Sequence, residues 1–158
     1  MSVASAARKI GKGDLYRTPY RAIIPLKMAL SKVRDSKILD PCEGDGIIKN
    51  ALRSRTNSVI GFDLFPNHGV SVDFLKHSGK YDIISGNPPF SLKGDFIEHG
   101  LSISEYVIYI LPMSVVSYNI FHRSFLDIPQ YMGRILMTPK MFMNASGSFV
   151  PGGTDSYA

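Results

Sequence analysis

Short apolar runs alternate along this chain with stretches of helical periodicity. Over residues 20–33 the apolar positions Ile23, Ile24, Met28, Leu30 and Val33 recur at near-helical spacing behind a Thr-Pro start, which predicts a helix. Residues 36–40 form a short predicted strand centred on Ile38 and Leu39. The turn Cys42-Glu43-Gly44-Asp45-Gly46 then leads into a predicted helix over 47–55. A second strand is expected over 58–62, ending at Asp63, and a short third one over 70–72. Residues 81–85 predict a fourth strand, with Ile83 and Ile84 buried, and a helix follows over 94–102. The run 105–111 (EYVIYIL) is β-branched and aromatic throughout and is the clearest strand signal. A helix over 119–126 and a strand over 133–137 complete the pattern.

Strands that alternate with helices predict an α/β fold: a doubly wound, mainly parallel, Rossmann-like sheet covered on both faces. Ligands bind such sheets outside the carboxyl ends of the strands. The residues with chemical potential do fall just after predicted strands.

The chain has 158 residues, enough for one domain with a single core. Residues 1–13 read as a flexible tail and 14–158 as one catalytic domain with no separate target-recognition domain. No run of about 18 apolar residues occurs, so no membrane helix is expected. The start is small, polar and partly basic, without the apolar segment of a secretory signal. Cys42 is the single cysteine, which excludes an internal disulfide and fits a reducing compartment such as the cytoplasm. The formal net charge of +5 favours an anionic partner, nucleic acid first among them. His68, His77, His99 and His122 lack metal-ligand spacing, so no metal is expected.

The first candidate site is Asp40-Pro41-Cys42-Glu43-Gly44-Asp45-Gly46. A strand delivers an acid, and a Gly-rich turn opens a helix. Gly44 and Gly46 allow the backbone to approach a ligand closely. The spacing is not that of a dinucleotide fingerprint, and no lysine is placed for a triphosphate. The acids Glu43 and Asp45 would repel a phosphate but suit a ligand with a sulfonium and an ammonium group, which describes S-adenosylmethionine. Cys42 reads as a lining residue of this turn. Asp63, followed by Leu64, ends the second strand about 20 residues on, where doubly wound folds hold ribose hydroxyls. Asp73 could accept from the cofactor's adenine amino group while Phe74 packs on its ring; a helix cap and a core side chain are the equally open alternatives.

The second candidate site is Asn87-Pro88-Pro89-Phe90. Two prolines remove two amide protons and stiffen the turn. The Asn87 side chain and the Pro88 carbonyl offer acceptors to an amino group conjugated to an aromatic ring. Such acceptors draw the nitrogen lone pair out of the ring and stabilise the positive charge that builds during methyl transfer. Phe90 would stack on the target base, which must leave a helix or be single-stranded to reach the pocket. Lys93, Arg123 and Lys140 are candidate phosphate contacts, and residues 142–149 a candidate cover for the base.

In this combination of motifs the sequence resembles the Rossmann-like amino-methyltransferases, and among them the adenine-specific DNA methylases often carried by phages and mobile elements. The resemblance implies that Asp14-Leu15-Tyr16-Arg17-Thr18-Pro19 is the motif preceding the first strand, with Tyr16, Thr18 and Pro19 at the methionine part of the cofactor. It also implies that Asn87 to Phe90 is the catalytic tetrapeptide, and that Phe121-His122-Arg123 and residues 134–141 border the target groove. Gly152-Gly153-Thr154-Asp155-Ser156-Tyr157-Ala158 resembles the segment running into the family's last strand; the expectation is that this strand is absent or shortened, or that the chain is a fragment. A homodimer or a partner subunit would then supply target recognition. DNA is the expected substrate. RNA with a partner subunit, a protein glutamine amide, and a non-enzymatic cofactor-binding relic or interaction module are the alternatives. The glutamine methylases typically carry Tyr where this chain has Phe90.

Overall fold

The computed structural model describes residues 17–18, 20–66 and 70–111. Helix α1 (Tyr20–Ala29) precedes strand β1 (Lys37–Asp40), helix α2 (Ile47–Leu52) and strand β2 (Ser58–Gly61). Strand β3 (Tyr81–Gly86), helix α3 (Lys93–Ile103) and strand β4 (Ser104–Tyr109) follow. Single 3₁₀ turns at Phe74–Lys76 and Phe90–Leu92 lie between them.

The strands form a four-stranded sheet in the order β2-β1-β3-β4, with every described pair parallel. β1 and β3 are central, and their buried residues before Asp40 and Ser85 are apolar on both faces, as a doubly covered parallel sheet requires. Ile38 and Ile83 face one way and pack with Ala22, Ile23 and Leu26 of α1 and Ile48 and Leu52 of α2. Leu39 and Ile84 face the other way and pack with Phe74, Leu92, Phe96 and Ile103. Helices therefore cover both faces, and the Rossmann-like reading holds. Strand order reverses between β1 and β3, so their carboxyl ends flank the crevice where such sheets bind ligands.

The larger departures from expectation have local reasons. Helix α1 carries Pro25, which deletes one backbone bond. Its regular part stops at Ala29, and turns at Leu30, Ser31 and Val33 finish the segment expected to be helical to residue 33. Helix α2 ends at Leu52 because Arg53 is extended. The strand expected over 70–72 does not form. Val72 gives its amide to the Asp63 carbonyl, and the Ser71 hydroxyl bonds the Leu64 carbonyl. The segment thus closes a loop on the end of β2 instead of adding a rung, and Val70 is 82% exposed. The helix over 119–126 and the strand over 133–137 fall outside the described residues.

Candidate cofactor and amino-group site

β1 delivers Asp40 fully buried at its last position. The backbone then turns through Gly44 and Gly46, both left-handed (φ +49° and +73°), into the first turn of α2. Gly46→Ala is expected to cost about 1 kcal/mol, the strain of a side chain in that conformation. In urea unfolding this should lower the midpoint while leaving the slope unchanged. The turn is tied to β2 at several points. The Glu43 amide bonds the Phe62 carbonyl at 3.0 Å, and the Phe62 amide bonds the Asp40 carbonyl at 3.1 Å. The Asp63 carboxylate accepts from the Gly44 amide at 3.0 Å with one oxygen and from Phe65 at 2.9 Å with the other.

Two of the acids expected to attract a cationic ligand are already balanced. Glu43 pairs with Lys49. Asp45 takes the Arg17 guanidinium, with Nε at 2.7 Å, and so fastens the segment before α1 to the turn. Among the described residues neither Asp40 nor Asp63 has an ion-pair partner, so these two are the acids at the switch point without a cation. Burial pushes the Asp40 carboxyl up to about 7, and the neighbouring Glu43 and Asp63 charges add to the rise. The amides of Cys42 and Lys49 oppose it; Cys42 bonds Oδ1 at 3.3 Å, and Oδ2 has no hydrogen-bond partner among the described residues. Burial, followed by Asp63 and Asp40, also pushes the Cys42 thiol up. A thiol so held is poorly nucleophilic, which agrees with a lining role.

Asn87 follows β3 and is half-buried. Its Nδ2 donates to Thr18 Oγ1 at 3.2 Å, which fixes the plane of the amide across 69 residues of sequence. Pro88 is fully buried, and Pro89 (φ −57°) opens the 3₁₀ turn that carries half-buried Phe90. The Leu92 amide bonds the Pro89 carbonyl at 3.0 Å. Lys93 Nζ donates to the Phe90 carbonyl at 3.2 Å, so this lysine folds back on the turn it follows.

The structure thus brings together Thr18, Asp40, Pro41, Cys42, Glu43, Gly44, Gly46, Asp63, Leu64 and Asn87 to Phe90 around the carboxyl ends of β1, β2 and β3. Asp73 and Phe74 take the structural alternative. Asp73 caps its 3₁₀ turn by accepting from Leu75 and pairs with Lys76 at 3.2 Å. Phe74 is 2% exposed and packs on Phe96 and His99. Tyr16, Pro19, Arg123 and Lys140 lie outside the described residues, as do 134–149 and 152–158. Among the described residues no cluster of three metal-ligating side chains occurs, and no helix is long and apolar enough to cross a membrane. His77 bonds Tyr81 at 2.7 Å, and His99 meets the His77 carbonyl at 2.9 Å, so both are engaged in packing.

Sequence reasoning gave Arg17 and Lys49 no role, and it missed Ser85. Ser85 is fully buried two positions before Asn87, and its Oγ has no hydrogen-bond partner among the described residues. The signal was available: along β3 the inward series runs Ile83, Ser85, turning from apolar to polar as the strand nears its end.

No protein-family profile matches the chain, and neither does any curated protein. Among solved structures, a Thermoplasma acidophilum protein is similar with a TM-score of 0.53 at 21% identity, covering 68% of this chain and 67% of that one. A candidate RNA methyltransferase from Pyrococcus horikoshii is similar with a TM-score of 0.50 at 15% identity, covering 79% of this chain and 80% of its own. At these identities the likeness is one of fold.

Proposed function

We propose that this chain is a methyltransferase that uses S-adenosylmethionine to methylate the exocyclic amino nitrogen of adenine in DNA. The observation that carries the reading is the seating of the Asn87 amide. It is held by Thr18 just after β3, at the switch point where β1 delivers the buried Asp40. The residues fit the cofactor's chemistry. Asp40 offers a buried oxygen that has no hydrogen-bond partner among the described residues. The left-handed glycine turn leaves its backbone open to close approach, and the Asp63 oxygens each accept one amide and keep further lone pairs for ribose hydroxyls. When bound, the cofactor supplies an electrophilic methyl on a sulfonium.

The rest of the chemistry belongs to the chain. Donation from Nδ2 to Thr18 directs the opposite end of the Asn87 amide, its carbonyl oxygen, away from that contact. That oxygen and the Pro88 carbonyl accept the two protons of an aromatic NH₂ group. Charge that develops on the nitrogen meets acceptors already in place, so no reorganisation is needed during transfer. Phe90 offers a ring face to an extruded base, and Asp40 and Asp63, without an ion-pair partner among the described residues, suit the crevice to a cationic ligand. The net charge of +5 agrees with a nucleic-acid substrate.

RNA is the second reading, because the Pyrococcus protein of similar fold is described as an RNA methyltransferase candidate. Labelled methyl transfer from the cofactor to duplex DNA, RNA and protein in parallel, followed by nucleoside analysis, separates the readings. Label in N6-methyladenine from DNA is expected. Label confined to RNA would replace the substrate, and label only in protein would remove both nucleic-acid readings.

A further inference from the structure

One line of contacts joins the ends of three strands. After β2, the Asp63 carboxylate accepts from the Gly44 amide at 3.0 Å. Asp45 comes next, between two left-handed glycines, and the Gly46 amide bonds the Glu43 carbonyl at 2.7 Å. The backbone of Asp45 is thus held on both sides. Its carboxylate takes Arg17 through two N–H groups, Nε at 2.7 Å and Nη2 at 2.6 Å, both on one oxygen. Arg17 is followed in the chain by Thr18, whose hydroxyl accepts from Asn87 Nδ2 at 3.2 Å just after β3. A planar guanidinium fork on a held anchor restrains orientation as well as distance.

We propose that Arg17 is a positioning residue. Anchored on Asp45, it sets Thr18 and, through Thr18, the plane of the Asn87 amide, so that the glycine turn and the amide are aligned together. What the amide does rests on the methyltransferase reading; the linkage itself does not. The two side chains keep 52% and 34% of their surface open to solvent, so the pair has the modest strength of a surface ion pair. A contribution of that size does not hold the fold, but it suffices to bias one amide between orientations. The other use of an arginine at this place is a grip on a substrate phosphate. That use would require the guanidinium to leave Asp45.

The test is a double-mutant cycle. Arg17→Ala should melt near the wild-type temperature and lower kcat about fivefold, the upper end of what an exposed ion pair is worth. KM for nucleic acid and affinity for S-adenosylhomocysteine should stay unchanged, and Asp45→Asn should lose kcat equally. In a Thr18→Val background Arg17→Ala should cost nothing further, because the contact it positions is already gone. Additive losses, or a loss in KM, would show that Arg17 acts on the substrate directly and overturn the proposal. A second readout needs no methyl transfer. By NMR, the Asn87 Nδ2 protons of Arg17→Ala should exchange with water about fivefold faster than those of the wild type. Unchanged exchange would overturn the linkage whatever the activity. Wild-type protein that transfers no methyl, while the exchange responds as expected, would remove the methyltransferase reading and leave the linkage standing.

Discussion

Asn87→Ala should abolish methyl transfer while leaving affinity for S-adenosylhomocysteine at the wild-type level. The side chain lies at the end of β3, and its amide is spent on Thr18 rather than on the glycine turn. Its removal takes away an acceptor aimed at developing charge. Losses of that kind are worth about 10²- to 10³-fold in kcat. Thr18→Val keeps the shape of the threonine but not its hydroxyl. It should release the Asn87 amide and give a smaller loss in the same parameter, since the acceptor survives but is no longer oriented. Single-turnover methylation alongside calorimetric ligand binding separates the two effects. If Asn87→Ala lost ligand affinity and activity together, the residue would belong to the cofactor seat and the proposed role would fall.

The second large effect concerns Asp40 and pH. Its carboxyl titrates near 7 in the folded chain against 3.8 for an unperturbed aspartate. The folded state therefore holds a proton that the unfolded state has released between these values. Stability from this group is full below about pH 4, falls as pH rises, and is lost above about pH 7. The full difference is on the order of 4 kcal/mol. Asp40→Asn should thus be more stable than wild type at pH 8, with the gap closing as pH falls toward 4. Ligand binding should show the opposite trend. A cation prefers the ionised carboxylate, so wild-type affinity for S-adenosylhomocysteine should rise with pH up to about 7 and then level off, by at most about tenfold per unit. The Asn variant should bind weakly and lose that slope. Urea titrations and binding isotherms from pH 5 to 8 measure both. A wild-type affinity flat across that range would exclude ionised Asp40 as a cofactor ligand.

Much of this arrangement was legible in the sequence, because parallel α/β sheets place chemistry at strand ends and the apolar runs mark where strands end. Asp40, the glycine turn, Asp63 and Asn87 were found in that way, and all lie at one edge of the sheet. The pairs Ile38-Leu39 and Ile83-Ile84 are apolar at successive positions, so neither strand reads as half-exposed. What failed was decided by partners far away in sequence or by very local competition. The apolar pair Val70 and Val72 suggested a strand, but Asp63 and Leu64 offered its backbone and Ser71 nearer bonds. The charges of Glu43 and Asp45 looked free because their cations, Lys49 and Arg17, are respectively six and 28 residues away. Phe74 and Asp73 could equally be core and cap, and only the packing of Phe96 and His99 decided it.

The pairing of β1 with β3 joins segments some 45 positions apart, with α2 and β2 intervening. Thr18, Asp40 and Asn87 consequently meet only once that long-range rung has closed. Pairings of this kind form late, because the loop entropy must be spent before the contacts return it. The binding crevice is therefore a reporter of completed assembly. In pulsed hydrogen exchange, amides of the glycine turn should gain protection together with the central strands rather than with α2. Ligand added during refolding should accordingly trap finished molecules without accelerating their formation.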